Sequence, residues 1–255
     1  MKIKYIANTG FLIESNRKKI LIDGIHNKEV KPYESVDETI LHNIVNGVPP
    51  FDNLDLLLFT HYHWDHFDPV ITIKTLTNNP HLKLFSSKQT VDYLKTNSEY
   101  NNHIEQQLYF DEIKFKETKN YTVNEINFAA TFLTHDGEEY KDVINYTYLI
   151  NLDEGRIFHC GDAKPSTFNY EGIGFEKENI DIALLDFPYF SLTSGRKIVN
   201  EYIKPDKIIV MHLPTEQNDT YNWLKTVRKV VDRYSNRLPE IIKLCIEPNE
   251  DIKIT

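Results

Sequence analysis

Thr60-His61-Tyr62-His63-Trp64-Asp65-His66 follows directly on the apolar run Leu54–Phe59. Three histidines and one aspartate fall within these seven residues, whereas the whole chain of 255 residues has ten histidines. Neutral imidazole and carboxylate are the ligand types that suit zinc and its neighbours in the transition series. Four such groups in one place are costly to bury when hydrogen bonds alone must satisfy them. The stretch therefore predicts a metal site directly after a buried strand.

The length and composition of the chain are typical of a globular protein. The residues are 40% hydrophobic and 26% charged, and a chain of this length can bury one large core. We therefore predict a single domain over residues 1–255. The net charge of −9 disfavours a general affinity for nucleic acid, which needs clustered Lys and Arg. The two cysteines, Cys160 and Cys245, imply no disulfide framework.

The N-terminal segment Met1–Gly10 alternates in hydrophobicity and then breaks at Asn8 and Gly10. This pattern predicts a first strand and a turn, and not a signal peptide. The sequence has no apolar run that approaches membrane-spanning length. We therefore expect a cytoplasmic protein that acts on a small-molecule substrate and has no membrane partner. Composition leaves the oligomeric state open, and a homo-oligomer is compatible with it.

Local patterns along the chain predict an α/β arrangement with strands, helices, a strand-rich middle and then alternating elements. Strands are predicted at Lys2–Ala7, Phe11–Glu14, Lys19–Ile22, Leu54–Phe59, His81–Phe85, Gln107–Phe115, Glu125–Thr134, Ile144–Asn151, Arg156–Cys160, Ile180–Phe187, Lys207–Met211 and Ile241–Ile246. Helices are predicted at Val36–Val45, from the N-cap Asp68 toward Thr77, from Ser86-Ser87 to Lys95, at Ser194–Ile203 and at Tyr221–Tyr234.

Four apolar runs are each followed by residues of a metal-ligating type. The pairs are Leu54–Phe59 with His61 and His63, Ile126–Leu133 with His135, Ile157–Phe158 with Asp162, and Ile208–Met211 with His212. Functional groups in α/β folds gather on the loops beyond the carboxyl ends of strands. We therefore expect these four widely separated segments to meet in space.

The His-x-His-x-Asp-His stretch, the later His135, Asp162 and His212, and their order at strand ends resemble the metallo-β-lactamase-fold superfamily. The matching scaffold runs from Tyr5–Asp23 to His212 and so covers most of the chain. This resemblance implies an α/β fold of four layers, an αββα sandwich. The opening Ile6–Ile13, the segment Ile20–Asp23 and the closing Pro205–His212 resemble the lactonase-like branch of predicted metal-dependent hydrolases, although these cues are less specific than the ligand set.

The resemblance also implies a dinuclear centre and a hydrolase activity. His61, His63 and His135 would hold the first metal, and Asp65, His66 and His212 the second. Asp162 would bridge the two metals. Asp65 and Asp162 are the ligands for which we also expect a catalytic role. Two divalent ions are implied, with zinc favoured by the histidine-rich ligation and Mn²⁺, Fe or Ni as alternatives. The nucleophile would be a metal-activated hydroxide, directed at a small ester, lactone or related acyl substrate.

Other functions use the same type of ligand set. A phosphodiesterase or a nuclease would need only a different substrate pocket, although a nuclease is disfavoured by the acidic net charge. A di-metal redox protein is a second class, but di-iron flavoproteins of this fold use a carboxylate where this chain has His63, and they add a flavin domain. A non-catalytic sensing protein is a third class, and the complete ligand set argues against it.

A few further residues are expected near the centre. Asp23, at the end of Ile20-Leu21-Ile22, is a candidate to orient a histidine ligand from behind. His26 follows it and is a candidate to line the substrate pocket. Tyr189 and Phe190 stand where lactonase-like relatives often have a glycine-rich turn, so we expect them to narrow the entrance, with core packing as the alternative. His159 and Cys160 are interpreted as buried strand residues.

Overall fold

The computed structural model describes residues 1–254, which form two seven-stranded sheets and the helices around them. The strands are β1 (Lys2–Tyr5), β2 (Phe11–Ser15), β3 (Lys18–Ile22), β4 (Leu56–Leu58), β5 (Lys83–Ser87), β6 (Leu108–Asp111), β7 (Thr118–Val123), β8 (Ile126–Thr134), β9 (Ile144–Leu152), β10 (Gly155–His159), β11 (Ile182–Asp186), β12 (Lys207–Met211), β13 (Glu240–Leu244) and β14 (Glu250–Ile252). The α-helices are α1 (Glu38–Asn46), α2 (Pro69–Asn78), α3 (Lys88–Lys95), α4 (Thr167–Tyr170), α5 (Pro188–Ser191), α6 (Thr193–Ile198) and α7 (Trp223–Tyr234), and a π-helical turn, Val199–Ile203, continues α6.

The two sheets face each other across a shared hydrophobic core. The strand order is β14-β1-β2-β3-β4-β5-β6 in the first sheet and β13-β12-β11-β10-β9-β8-β7 in the second. Because side chains alternate along a strand, Ile20 and Ile22 pack with Tyr148 of the second sheet, whereas Leu21 packs with Ile73 of helix α2. The arrangement of helices outside two sheets confirms the predicted four-layer α/β fold.

Parallel pairing brings the functional strand ends to one edge. Strands β3 and β4 are parallel, and so are β10, β11 and β12. The residues that follow or end these strands therefore lie together, as they do in other sheets with parallel strands. Asp23 follows β3, His61 follows β4, Asp162 follows β10, Asp186 ends β11 and His212 follows β12.

The ligand stretch is held between β4 and α2. The Asp68 side chain accepts a hydrogen bond from the Ile71 backbone N–H at 2.8 Å, and Pro69 takes the first helical position. This is the helix start that the sequence predicts. The Asp68 backbone N–H also donates to the Ile25 carbonyl at 2.7 Å, which ties the start of the helix to the segment after β3.

Several predicted elements differ from the observed ones at positions where hydrophobic periodicity is weak. The predicted strand Gln107–Phe115 is only β6, preceded by a 3-10 turn at Asn102–Gln107. Strands β7 and β14 were not predicted, because they are mostly polar strands at sheet edges. In residues 1–254, none of the helices is long and apolar enough to cross a membrane.

Candidate metal centre

The structure brings the seven predicted ligands into one cluster. The ligand atoms of His61, His63 and His135 lie within 4.8 Å of one another, and so do those of Asp65, His66 and His212. These two triads are the two sets that the resemblance implies. The turn that separates them is short, because the backbone N–H groups of His66 and Phe67 both donate to the His63 carbonyl, at 3.0 and 2.9 Å.

Asp162 lies between the two triads. Its Oδ2 atom is 3.4 Å from His135 Nε2 and 3.3 Å from His66 Nε2, so one carboxylate faces a histidine of each triad. The Asp162 backbone N–H donates to Asn145 Oδ1 at 2.9 Å. Gly161 precedes it in the left-handed region with φ of 56°, and a Cβ there would come within 2.4 Å of Asn145 Oδ1. Glycine at this turn is therefore what allows Asp162 to reach the cluster.

The chemistry of the donor set fits a metal centre. The Nε2 atoms of His61, His66 and His135 are buried and have no hydrogen-bond partner among residues 1–254, and Asp162 Oδ1 has none either. Buried polar atoms without partners are rare and costly. These atoms converge on one place, and Asp162 Oδ2 lies 3.3 to 4.0 Å from the three imidazoles. This is the pattern expected where cations complete the coordination.

Burial and mutual charge perturb the pKa values of the cluster in opposite directions. Burial, with neighbouring imidazoles, lowers the pKa of His61 well below its usual range and that of His63 to about 4. For His66, burial alone would lower the pKa, but the Asp162 and Asp65 carboxylates raise it well above its usual range. For Asp162, burial is likewise outweighed, and His66 and His212 hold its pKa well below the usual range. Neutral imidazoles and ionised carboxylates are the forms that bind metals, so the shifts at His61, His63 and Asp162 favour binding, whereas a metal at His66 would have to displace a proton.

Asp23 lies behind the second triad. Its Oδ2 atom is 2.9 Å from His66 Nδ1, and its two oxygens also accept hydrogen bonds from the Thr60 backbone N–H at 2.8 Å and the Thr60 hydroxyl at 2.6 Å. The Thr9 hydroxyl is 3.0 Å from the same His66 nitrogen. Because Nδ1 is engaged in this way, His66 Nε2 points into the cluster, the arrangement in which outer carboxylates orient metal-binding histidines.

His212 and Asp65 are positioned by a residue of the first loop. The His212 backbone has φ of 58°, an uncommon conformation outside glycine, and its N–H donates to the Asn8 carbonyl at 3.0 Å. The Asn8 side-chain amide donates to the Asp65 carbonyl at 2.9 Å and to Asp65 Oδ2 at 3.3 Å. One side chain and its backbone thus hold two members of the second triad.

Asp186 is a member of the site that sequence analysis did not propose. It is buried at the end of β11, and its Oδ1 atom is 3.3 Å from His212 Nδ1. Burial raises its pKa to about 6, against the opposing effect of His212. Asp162, Asp186 and His212 also offer three ligand atoms within 4.8 Å of one another. The signal that was available was its place at a strand end, the same criterion that selected His135 and His212.

The cluster lies at the bottom of an open cavity of about 440 Å³. The cavity is lined by Val30, Tyr33, His63, Trp64, Asp65, His135, Asp136, Gly137, Glu139, Tyr140, Asp162, Asp186, Phe187, Pro188 and His212. This volume lies in the range of pockets for small molecules. Ligands of both triads are therefore open to a substrate.

Three expected pocket residues lie elsewhere. Tyr189 and Phe190 are completely buried in the hydrophobic core and do not line the cavity. The Tyr189 hydroxyl is used inside the protein, where it donates to the Ala163 carbonyl at 2.8 Å and contacts the Tyr170 hydroxyl. The expectation that these rings narrow the entrance was wrong, because the short helix α5 turns them inward while Phe187 and Pro188 face the cavity.

His26 is also fully buried and absent from the cavity lining, so its expected role as a pocket residue is corrected. Val30 and Tyr33, further along the same segment, reach the cavity instead. His159 and Cys160 are buried, and both His159 ring nitrogens are in hydrogen bonds, Nε2 with the Thr9 carbonyl and Nδ1 with the Gly161 N–H. Both are buried as expected, and His159 ends β10, whereas Cys160 lies one residue beyond that strand.

Comparisons with known proteins agree with this geometry. The sequence matches the family described as "Beta-lactamase superfamily domain" over residues 9–229. It is 27% identical over 269 aligned positions to a protein of Pyrococcus furiosus named as a UPF0173 metal-dependent hydrolase, with 100% of each chain covered.

Two solved structures show the same fold. The first, described as a possible metal-dependent hydrolase from Veillonella parvula, has a TM-score of 0.68 at 15% identity, covering 100% of this chain and 99% of that one. The second is CmlA, a diiron beta-hydroxylase from Streptomyces venezuelae, with a TM-score of 0.61 at 11% identity, covering 99% of this chain and 54% of that one. The superfamily resemblance drawn from the ligand stretch is confirmed, and the protein belongs to the β-lactamase superfamily.

Proposed function

We propose that this protein is a hydrolase that uses two divalent metal ions, zinc in the first instance, to cleave a small ester, lactone or related acyl substrate. The observation that carries the proposal is the pair of histidine and carboxylate triads with Asp162 between them, open to one cavity. Three protein donors at each position, with one shared carboxylate, leave room for solvent and substrate. This is the ligand count of catalytic and not of structural zinc sites. The relative in Pyrococcus furiosus carries the name of a metal-dependent hydrolase.

Bound at these triads, two cations would polarise the scissile carbonyl group and make hydroxide available near neutral pH. The chain contributes the geometry for this chemistry. Asp23 and Asp186 each approach the Nδ1 atom of a histidine of the second triad, at 2.9 and 3.3 Å. Asn8 holds the Asp65 carboxylate at 3.3 Å. These contacts fix side chains in advance, so that little reorganisation is needed when the substrate binds.

The charge of the cavity favours acyl over phosphodiester substrates. Among the described residues that line it there is no Lys or Arg, whereas Asp136 and Glu139 lie at its rim. Phosphodiesterases and nucleases bind anionic backbones, for which lysine and arginine are the usual partners. A phosphodiester would therefore have to rely on the metal ions alone.

The test begins with metal content. The purified protein should be analysed for zinc, manganese, iron and nickel, stripped with a chelator, and reloaded with each metal separately. We expect two equivalents per chain and hydrolysis of esters or lactones that is lost on stripping and restored on reloading. His135→Ala should lose metal and activity together, whereas His103→Ala, at an exposed position outside the cluster, should retain both.

Three results would contradict the proposal. Stoichiometric metal with no turnover of any ester, lactone or thioester would remove the acyl assignment. Faster hydrolysis of a phosphodiester than of every acyl substrate would replace it with the alternative. Iron with an oxygen-dependent reaction would indicate redox chemistry, for which CmlA provides a case on the same fold.

A further inference from the structure

The cavity above the metal centre has aromatic walls beside both triads. Next to the first triad, the Tyr140 ring lies 4.7 Å from the His63 ring and 4.9 Å from the His135 ring, measured between centroids. Both contacts are tilted and not stacked, with interplanar angles of 66° and 60°. Tyr140 remains 40% exposed, so part of its face is open to a bound molecule.

Trp64 adds a second open ring to the cavity. It stands between two ligands of the metal stretch and is 45% exposed. The Lys28 ammonium lies 3.5 Å from the centroid of its ring, which shows that the ring offers its π-face to a cation. Unlike the exposed rings of Tyr109 and Phe168, the Trp64 ring lines the cavity, where a bound molecule can contact it.

The wall beside the second triad is built from stacked rings. The Tyr33 ring stacks on the His212 ring at 3.9 Å and 15°. Phe187 stacks on Trp223 at 4.7 Å and 21°, and Trp223 in turn lies 5.9 Å from Tyr33. The segment that carries Tyr33 is held on its outer side, because Glu34 Oε1 accepts a hydrogen bond from the Thr215 hydroxyl at 3.0 Å.

The charged residues that line the cavity are acidic once the proposed metal ligands are set aside. Asp136 and Glu139 are acidic residues that remain. The Lys28 ammonium lies beside the cavity, in a cation–π contact with the Trp64 ring. Lys164, near the same loop, pairs with Glu138 at 3.3 Å. An anionic group far from the reacting centre would therefore meet two carboxylates and no free cation among the lining residues that the structure describes.

We propose that the substrate is a small acyl compound that carries a flat aromatic group and is uncharged or positively charged at the end remote from the scissile bond. The aromatic group packs against Tyr140 and Trp64, while Tyr33 and Phe187 form the fixed opposite wall. This inference rests on the proposed acyl hydrolase function, and it names the substrate class of that site.

The test is a series of ethyl esters with one leaving group, assayed on the metal-loaded protein. The compounds are ethyl phenylacetate, ethyl cyclohexylacetate, and ethyl phenylacetate with a trimethylammonium or a sulfonate group at the para position. We expect kcat/KM to be about threefold to tenfold higher for the phenyl than for the cyclohexyl ester, the range of one aromatic contact. The trimethylammonium ester should match or exceed the neutral one, and the sulfonate should be the poorest.

Variants assign the preference to the rings. Tyr140→Leu and Trp64→Leu should each lower the ratio of phenyl to cyclohexyl activity toward one, with metal content unchanged. Tyr109→Leu is the matched control, because Tyr109 is 42% exposed on strand β6, outside the cavity lining, and it should leave the ratio as it is. Glu139→Gln should lower the ratio of trimethylammonium to neutral ester about twofold to threefold, as for a solvent-screened charge. Equal rates for phenyl and cyclohexyl esters, or a ratio that survives both ring variants, would overturn the proposal.

A binding experiment separates this inference from the proposed function. The chain has two tryptophans, Trp64 in the lining and Trp223 stacked behind Phe187, so tryptophan emission reports on the cavity. If no ester is hydrolysed, the acyl function fails, and titration with benzyl alcohol and benzyltrimethylammonium still tests the walls. Saturable changes in emission that weaken in Tyr140→Leu but not in Tyr109→Leu would uphold the aromatic subsite, and their absence would exclude it.

Discussion

Asp23 Oδ2 lies 2.9 Å from His66 Nδ1, and both side chains are completely buried. The same carboxylate accepts two hydrogen bonds from Thr60, the residue that starts the ligand stretch. Asp23 therefore joins the end of β3 to the end of β4 and holds the second triad in place. Its backbone is in the left-handed region with φ of 45°, a conformation that aspartate adopts more readily than most residues.

Removing the charge of Asp23 should weaken the second metal site. In Asp23→Asn the shape is kept, but the carboxylate that orients His66 is lost. We expect affinity for the second metal to fall about 10- to 100-fold, with the first site changed little. Competition with a chromophoric chelator measures both affinities. Asp92→Asn, on the exposed surface of α3, is the control, and equal losses at both sites would argue for a general structural role.

Asp162→Asn should be the most damaging single substitution. Asp162 faces a histidine of each triad, at 3.3 and 3.4 Å, so two cations held at the triads as proposed would lose their shared counter-ion. Turnover and second-metal occupancy should fall together. Activity and metal content, measured on the same sample, check this. A variant that retains two tightly bound metals and full turnover would show that Asp162 is not a bridge.

Asp186 should act through His212. In Asp186→Ala the His212 ring loses the carboxylate 3.3 Å from its Nδ1 atom, while Tyr33 still stacks on its face. We expect metal affinity at the second site to fall about tenfold or more, with partial recovery in Asp186→Glu but not in Asp186→Asn. The measurement is the order of the three variants in their metal affinity at the second site. Identical losses in all three would indicate a packing effect.

The clustering of the candidate metal ligands could be predicted from the sequence because these residues obey a simple rule of position. His61, His135, Asp162 and His212 each follow an apolar run. Parallel pairing of β3 with β4 and of β10 with β11 and β12 brings three of these positions to one edge. His135 reaches the same edge because β8 and β10 both pair antiparallel with β9 and so run in the same direction. The four-layer fold was implied by the superfamily resemblance that these residues carry. Asp186 was missed because the predicted strand, Ile180–Phe187, runs one residue past it, whereas the observed strand β11 ends at Asp186.

The pocket walls could not be predicted in the same way. Tyr189, Phe190 and Phe187 are adjacent aromatic positions, and which of them faces the cavity depends on the rotation of the four-residue helix α5. Tyr33 reaches the site from a segment with no regular structure, about 180 residues before the histidine on which it stacks. Side-chain direction in such segments is set by tertiary packing and not by periodicity.

Phe190→Ala should therefore destabilise the protein without changing its choice of substrate. The Phe190 ring is completely buried in the core, and truncation of a buried phenylalanine costs about 3–5 kcal/mol of the free energy of unfolding. Denaturant unfolding measures this loss, and the ester series measures substrate preference. Phe168→Ala, at a ring that is 67% exposed, is the control for stability. A shift in preference with unchanged stability would restore Phe190 to the pocket.

His26 should make the stability of the protein depend on pH between about 4 and 6.5. Burial, assisted by His66 and opposed by the Asp65 and Asp23 carboxylates, lowers its pKa to about 4, and both ring nitrogens lack a hydrogen-bond partner among residues 1–254. In the unfolded chain its pKa is about 6.5. Between these values the unfolded state binds a proton that the folded state does not, so stability rises with pH. The contribution is complete above pH 6.5 and is lost as the pH falls toward 4, and the full shift corresponds to about 3 kcal/mol.

His26→Leu should reduce the slope of unfolding free energy against pH in this range, by an amount that corresponds to at most one bound proton. Unfolding free energies from denaturant titrations of the two proteins, both stripped of metal, give the difference in slope, and parallel profiles would show that the His26 ring is protonated equally in both states.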